Sequence, residues 1–214
     1  MLVTEAGNFL QQNSWSKYPR AKVKEEGRKI IGTKLVFKKK IEAEGSKAPD
    51  TYGIYRYKTR GVTLGYQQIP GIDYTESHSP VANDTSIRMA IAITLYHDDW
   101  VIHVTDIEAA FLEGKLKNPM YIEWLPGMVE AGMISQEDAD KYVCLLTGGM
   151  YGNVQAALAF FQEYREHLTE KMKMKQSLTD PCVFYLRDEM DVLVLMALLH
   201  VDDTLVAGEP KWID

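Results

Sequence analysis

The chain has 214 residues, with 24 Lys+Arg against 30 Asp+Glu and a formal net charge of −6. Hydrophobic residues make up 46% and charged residues 25%, an ordinary globular mixture that excludes collagen-like, low-complexity and wholly disordered chains. At roughly 150 residues per domain the length allows one large domain or two small ones. The longest apolar run, Val192 to Leu199, is far short of the roughly 18–20 residues that cross a bilayer. The N-terminal MLVTEAGNFLQQNSW has no basic stretch leading into an apolar core, so an intracellular protein without a membrane partner is expected. Cys144 and Cys182 form no C-x-x-C pair and stand among no clustered His. They read as buried free thiols rather than a disulfide framework or zinc site.

The net charge hides a split. Residues 1–60 hold 14 Lys+Arg and 6 Asp+Glu, giving +8, whereas residues 61–214 hold 10 and 24, giving −14. A basic surface for a polyanion and a merely solvated, lysine-coated edge both fit the first third. The acidic remainder attracts phosphate only through metal ions gathered on its carboxylates.

In chain order, residues 1–29 mix polar and basic residues around Trp15 and Tyr18, broken at Gly27. Ile30 to Lys40 and Ile54 to Leu64 are basic β-like segments joined by a turn over Glu44 to Asp50, together a hairpin. Gly65, Pro70, Gly71 and Pro80 punctuate a loop before Asp84 to Ser86, which can cap a helix carrying Ile87, Ala90, Ile91 and Leu95 and ending near His97. Val101 to Val104 is a short strand leading to Asp106 and a helical turn or two over EAAFLEG. Met120 to Trp124 reads as a strand, Ser135-Gln-Glu-Asp as a small helix start with a capping box, and Gln155 to about Lys173 as a long amphipathic helix. Strands over Cys182 to Leu186, Val192 to His200 and Thr204 to Ala207 close the chain. The interleaving lacks a regular βαβ rhythm, so the fold class is α+β with a mainly antiparallel sheet packed on helices.

Asp202 and Asp203 stand side by side at a hairpin tip whose arms, LVLMALLHV and TLVAG, are almost wholly apolar. Adjacent carboxylates repel unless a cation neutralises them, and Asp-Asp is a poor turn dipeptide compared with Asn-Gly or Asp-Gly. Asp106 likewise ends an apolar strand. If the two strand ends are neighbours, three carboxylates meet at one sheet edge and can hold two divalent ions about 3.5–4 Å apart, an arrangement for in-line phosphoryl or nucleotidyl transfer. The bland alternative is an exposed turn with Asp106 as a helix N-cap. Asp98-Asp99, in a polar loop before Trp100, serves as a solvated control, and His97 and His103 read as surface or core histidines.

Asp106-Ile-Glu-Ala-Ala-Phe-Leu-Glu-Gly114, Met150-Tyr-Gly-Asn-Val-Gln-Ala-Ala157 and His200-Val-Asp-Asp203 resemble, in order and spacing, the palm motifs of copia-type LTR-retrotransposon reverse transcriptases. Tyr57 to Tyr74 and Ser77 to Val81 resemble the family's fingers segment, and Trp15 to Arg20 its entry. The likeness runs from about residue 11 to 208. It implies an RNA-directed DNA polymerase, a nucleotidyltransferase from the Pol polyprotein of an element whose DNA copy is integrated. Its implied organisation is a polymerase-like palm (85–117 and 155–214) and a basic β-rich fingers subdomain (1–84 and 118–154).

By the same resemblance Asp106, Asp202 and Asp203 are catalytic metal ligands, joined by the Ile107 carbonyl, for two Mg²⁺ ions, with Mn²⁺ as a substitute. Phe111 matches the aromatic beneath the incoming sugar, where a ring excludes a ribose 2′-hydroxyl. Lys40, Lys58 and Arg60 lie in the hairpin that closes on the triphosphate, with their assignment open. Tyr151, Gly152 and Gln155 match the segment lying against template and nucleotide, Gly allowing close backbone approach. Implied partners are an RNA template, a DNA primer, dNTP and the remaining Pol domains, thumb and RNase H, which are expected to lie outside this chain. A cytoplasmic particle or the nucleus is the implied location. The chain departs from the family where Asn153-Val154 and Ala157 replace a usual Leu-Lys and Pro, and where His200 replaces Tyr. The competing expectations are an inactive remnant that at most binds nucleic acid and a metal-dependent nuclease on the same carboxylates.

Overall fold

The computed structural model describes residues 14–40, 56–107 and 110–213, apart from the side chains of residues 40, 56 and 57. In chain order its elements are β1 (Trp15–Pro19), α1 (Arg20–Glu25), β2 (Ile30–Ile31), β3 (Thr33–Lys40), β4 (Arg56–Thr63), a 3-10 turn (Gly65–Gln67), α2 (Asp84–Tyr96), β5 (Val101–Asp106) and α3 (Ala110–Glu113). They continue with β6 (Lys115–Ile122), α4 (Gln136–Lys141), β7 (Tyr142–Gly148), α5 (Ala156–Glu166), a π-helical turn (His167–Lys171), β8 (Lys175–Gln176), β9 (Val183–Arg187), β10 (Leu193–His200), β11 (Asp203–Gly208) and α6 (Pro210–Ile213). The chain divides into two compact units, Met1–Thr75 with Lys115–Ala156 and Glu76–Gly114 with Ala157–Asp214. The class is α+β with mainly antiparallel sheets, as expected.

The first unit holds a four-stranded sheet, order β1-β7-β6-β2, and the two-stranded ribbon β3-β4. All its pairings are antiparallel except β2 with β6. Val23, Tyr121 and Val143 form a buried cluster. Trp15 meets Trp124 edge-on at 5.4 Å, and Arg20 grips Glu123 through two hydrogen bonds of 2.6 and 2.7 Å, the bidentate geometry that guanidinium and carboxylate share. Thr33 Oγ1 donates to the Trp124 carbonyl at 2.8 Å, tying the ribbon's base to this unit. The expected hairpin is the β3-β4 ribbon, whereas its turn over Glu44 to Asp50 lies outside the described residues. β1 and β7 were not expected. The polar WSKYP segment shows no alternation, and it becomes a strand by pairing with residues more than a hundred positions away. β6 begins at Lys115 rather than Met120, its pairing irregular between those two residues where Pro119 cannot donate to the ladder. Ser135 caps α4 by accepting from Asp138 N at 3.0 Å, as expected.

The second unit holds one antiparallel five-stranded sheet, order β5-β11-β10-β9-β8. Its central β10 is apolar from Leu193 to Leu199 because both faces are covered there. Leu195, Ala197, Leu199 and Phe184 pack with Phe161 and Leu168, while Met196, Leu198 and Ala207 pack with Ala90 and Trp100. α2 is capped by Asn83, whose side chain accepts from Thr85 N at 2.9 Å, one residue before the expected cap. Buried Asp180 accepts from Asn83 N at 2.9 Å, Ser86 Oγ at 2.6 Å and Cys182 N at 3.0 Å. Burial alone pushes its carboxyl pKa up, but these three donors outweigh that and hold it below the usual carboxylate range. Both cysteines are free and buried. Burial, with the Asp180 charge beside it, pushes the Cys182 thiol up to about 12, and burial raises Cys144 as well. No described helix is long and apolar enough to cross a membrane.

Candidate functional site

The acidic edge of the second unit follows from strand register. β11 pairs antiparallel with β5 so that Asp203 stands directly opposite Asp106. Directly opposed residues project from the same face of a sheet. The register therefore aligns two carboxylates 97 positions apart. The β10-β11 ladder closes on the pair His200 and Asp203, leaving Val201 and Asp202 as the two-residue turn. Asp203 thus begins β11 instead of occupying the tip. Ile107 N donates to the Asp202 carbonyl at 3.3 Å, a main-chain link between the two carboxylate-bearing segments. The Ile107 carbonyl accepts from Ala110 N at 3.2 Å, which leaves one lone pair for another ligand.

The turn carries its own mark. Val201 has φ 63°, a left-handed conformation in which a β-branched residue is a genuine outlier. A two-residue hairpin of this kind favours Gly at its first position. Strain of about 1–3 kcal/mol is characteristic of such residues, and they cluster at functional sites.

Asp106 and Asp203 are exposed and Asp202 half-buried. Among the described residues none of the three carboxylates makes an ion pair. Two like charges directly opposite each other destabilise a ladder, so this edge is a place where a cation lowers the energy. Carboxylate and carbonyl oxygens are the hard donors that Mg²⁺ takes, and the residues fit a divalent ion in that respect. Among the described residues no group of three or more His, Cys, Asp or Glu side chains is gathered to hold a metal. The register aligns the acidic backbone without folding all three carboxyl groups into one cluster. The control pair Asp98-Asp99 is exposed, His97 stacks on Trp100 at 4.6 Å, and His103 and His200 are exposed on their strands.

In the first unit several of the expected nucleotide-handling residues come together. The Arg60 guanidinium lies 5.1 Å from the centre of the Tyr151 ring, a cation–π contact that pre-orients it. Its Nε is buried and has no hydrogen-bond partner among the described residues. Gly152 has φ +89°, and a Cβ built on it would lie 2.2 Å from the Thr63 carbonyl oxygen. Only glycine fits there. Thr63 N donates to the Tyr151 carbonyl at 2.8 Å, and Thr63 Oγ1 donates to Asn153 Oδ1, stitching residues 151–153 to the end of β4.

Gln155 behaves differently from the expectation that it lies against a ligand. It is buried, accepting from Gln68 Nε2 at 2.7 Å and donating to the Asp73 carbonyl at 3.3 Å. Gln68 in turn accepts from Val154 N at 2.9 Å. Buried Asp73 receives Ile69 N at 2.7 Å and Arg28 at 3.2 Å. Sequence reading did not single out Gln68, Asp73 or Arg28, because their partners are remote in the chain. The one local signal is the polar Gln67-Gln68 pair entering a Pro-Gly turn.

Lys58 lies on β4 in line with Arg60, two residues apart on one ribbon face. Lys34 and Lys38 oppose Val62 and Lys58 on that same face. Lys40 ends β3, but its side chain lies outside the described residues. Phe111 is half-buried on α3. Glu108 and Ala109 of the expected turn lie outside the described residues.

A family model described as reverse transcriptase (RNA-dependent DNA polymerase) matches residues 20–213. The chain belongs to the reverse transcriptase family. This reverse transcriptase chain is 35% identical over 179 residues to the retrovirus-related Pol polyprotein from transposon RE2 of Arabidopsis thaliana, covering 84% of the chain and 11% of that protein. The transposon RE1 polyprotein of the same plant is 34% identical, with 84% and 11% covered. That from transposon TNT 1-94 of Nicotiana tabacum is 31% identical over 188 residues, with 87% and 13% covered. These relatives are of the copia type, and the chain spans about a tenth of their length. No solved structure matches it.

Proposed function

We propose that this chain is the polymerase core of a retrotransposon Pol polyprotein, joining a dNTP to a primer 3′-hydroxyl on an RNA template. The first unit is read as fingers and the second as palm. The observation that carries the proposal is the direct opposition of Asp203 and Asp106 beside the strained turn bearing Asp202. Asp106, Asp202 and Asp203, with the Ile107 carbonyl, would hold two Mg²⁺ ions. Bound there, such ions supply charge neutralisation for the nucleophile and the leaving pyrophosphate.

The protein's own part is positioning, since phosphoryl-type transfer asks little covalent chemistry of side chains. Arg60, its guanidinium held over the Tyr151 ring, is the best-prepared guanidinium for a triphosphate oxygen. This favours Arg60 over Lys58 and Lys40 as the principal grip, with the lysines contributing point charge. Phe111 is assigned to discrimination against ribose, and Tyr151 and Gly152 to the surface against which base and template rest. Gln155 is assigned to bracing that surface through Gln68, consistent with its burial. Template RNA, DNA primer, and the thumb and RNase H domains of the longer polyprotein are the partners.

The reading is tested by Mg²⁺-dependent dNTP incorporation on a primed RNA template, with the chain alone and within a longer Pol polypeptide that includes a thumb. Asp203→Asn and Asp106→Asn are each expected to abolish incorporation while the fold is kept. Unchanged incorporation by either variant contradicts the assignment. The reading as an inactive nucleic-acid-binding remnant draws on one observation, that the three carboxyl groups are not gathered into a cluster. It is favoured if salt-sensitive RNA binding persists with no incorporation by any version.

A further inference from the structure

The face of the sheet behind the carboxylates carries a polar device that the proposed chemistry does not use. Thr204 follows Asp203 and stands opposite Thr105, which precedes Asp106. The threonine pair is therefore the next rung of the same ladder, projecting from the other face. Thr204 is 1% exposed, and its Oγ1 donates to the Tyr164 hydroxyl oxygen at 3.3 Å. The Thr204 carbonyl accepts from Thr105 Oγ1 at 3.4 Å. Tyr164 lies on α5, its ring stacked on Phe160 at 5.6 Å, and packs against the apolar cluster of Phe161, Leu168 and Leu199. Hydroxyls placed in such surroundings cost stability unless they bond to one another.

The same helix touches the segment that follows Asp106. A Cβ on Gly114 would lie 2.5 Å from Phe160 N and 2.7 Å from the Ala159 carbonyl carbon, so the chain at Gly114 lies close against the backbone of α5. Residues 160 and 164 are one helical turn apart and lie on one face of α5. One turn of α5 thus contacts Gly114, just past α3, and Thr204 on β11.

We infer that Tyr164 is a positioning residue for the metal-binding carboxylates: through Thr204 and Thr105 it fixes β11 against β5, so that Asp203 and Asp106 stay opposed despite their repulsion. The need for it follows from the charges. Opposed carboxylates favour splaying or slipping of the ladder in the absence of a cation, and among the described residues β5 is the edge strand of its sheet. This inference rests on the proposal that Asp106 and Asp203 bind divalent ions.

The test is Mn²⁺ binding to the full chain, followed by electron paramagnetic resonance without nucleotide or nucleic acid. Tyr164→Phe keeps the ring and its packing and removes only the hydroxyl. Thr204→Val is its isosteric counterpart, and Thr204→Ser retains the donor. Tyr164→Phe and Thr204→Val are each expected to weaken Mn²⁺ binding roughly two- to tenfold, the size of one neutral hydrogen bond. The double variant should be no weaker than the worse single one, and Thr204→Ser should bind within about twofold of the original chain. A merely structural role lowers the denaturation midpoint but leaves Mn²⁺ affinity unmoved under folding conditions, and that result overturns the inference. So do losses that simply multiply in the double variant. Asp203→Asn separates the two levels. If it leaves Mn²⁺ binding intact, the metal-site proposal itself fails. If it abolishes binding while Tyr164→Phe does nothing, only the positioning role fails.

Discussion

Gly152 offers a magnitude that can be worked from the structure. Its φ of +89° is a conformation that costs an L-residue about 1–2 kcal/mol. A methyl group at this position would also lie 2.2 Å from the Thr63 carbonyl oxygen. No rotamer change relieves a clash with strand backbone, and such overpacking costs about 1–3 kcal/mol. Gly152→Ala should therefore destabilise the chain by about 2–5 kcal/mol, a large part of a typical domain's stability of about 5–15 kcal/mol. Two other glycines separate the contributions. Gly71 has φ +81° and open space around it, so Gly71→Ala should cost only the conformational part, about 1–2 kcal/mol. Gly65 has no positive φ, but its Cβ would lie 2.0 Å from the Gly152 carbonyl oxygen. Gly65→Ala should cost the overpacking part alone, about 1–3 kcal/mol. Because Gly65 and Gly152 meet, the double variant should lose less than the sum of the singles. Urea denaturation followed by circular dichroism measures all four. A Gly152→Ala no less stable than Gly71→Ala would refute the claim that residues 151–153 are pressed onto the end of β4.

Three further outcomes follow from the geometry. Val201→Gly releases about 1–3 kcal/mol of turn strain against about 0.5–1 kcal/mol of added chain entropy; the denaturation midpoint should rise, and a fall would show that the turn is not strained. Asp180, whose folded-state pKa is depressed, contributes stability that is full above the ordinary aspartate value of about 4 and is lost as pH falls through the lower folded value. Asp180→Asn should cost about 1–3 kcal/mol near pH 7, with its stability gap from the original chain closing below about pH 4, and a gap independent of pH contradicts the three-donor clamp. Lys34 and Lys38 make no ion pair among the described residues, and their ribbon carries seven Lys and Arg in sixteen residues with no acid. Lys38→Ala should weaken single-stranded RNA binding and reduce the slope of log affinity against log salt by about 0.7 for each phosphate that is no longer neutralised; an unchanged slope removes the ribbon from the interface.

What the sequence made legible was what short-range chemistry encodes. The apolar arms around Asp202 and Asp203 marked a hairpin with something polar to hold, and the apolar run before Asp106 marked a strand whose pairing with that hairpin was left open. Ser135 announced a cap. The detail of the tip was harder, because a turn normally asks for Gly and here Val201 takes the strained position. β1 escaped notice since a polar, Pro-ended segment becomes a strand only through a partner far along the chain, whereas the apolar run YVCLLTG of β7 was itself a legible strand signal. Gln155 was visible as part of a motif, but its hydrogen bonds run to Gln68 and the Asp73 carbonyl, more than eighty positions away. Long-range pairing decides such features, and no local pattern records it.

The central claim is that Asp106 and Asp203 hold a divalent ion between them, and iron-directed backbone cleavage tests it most directly. With Fe²⁺ in place of Mg²⁺ and ascorbate with peroxide as the radical source, cuts should fall around residues 105–107 and 201–204 together, be suppressed by Mg²⁺, and vanish in Asp203→Asn. Cuts at only one of these segments, or a pattern that Asp203→Asn leaves unaltered, would contradict the account.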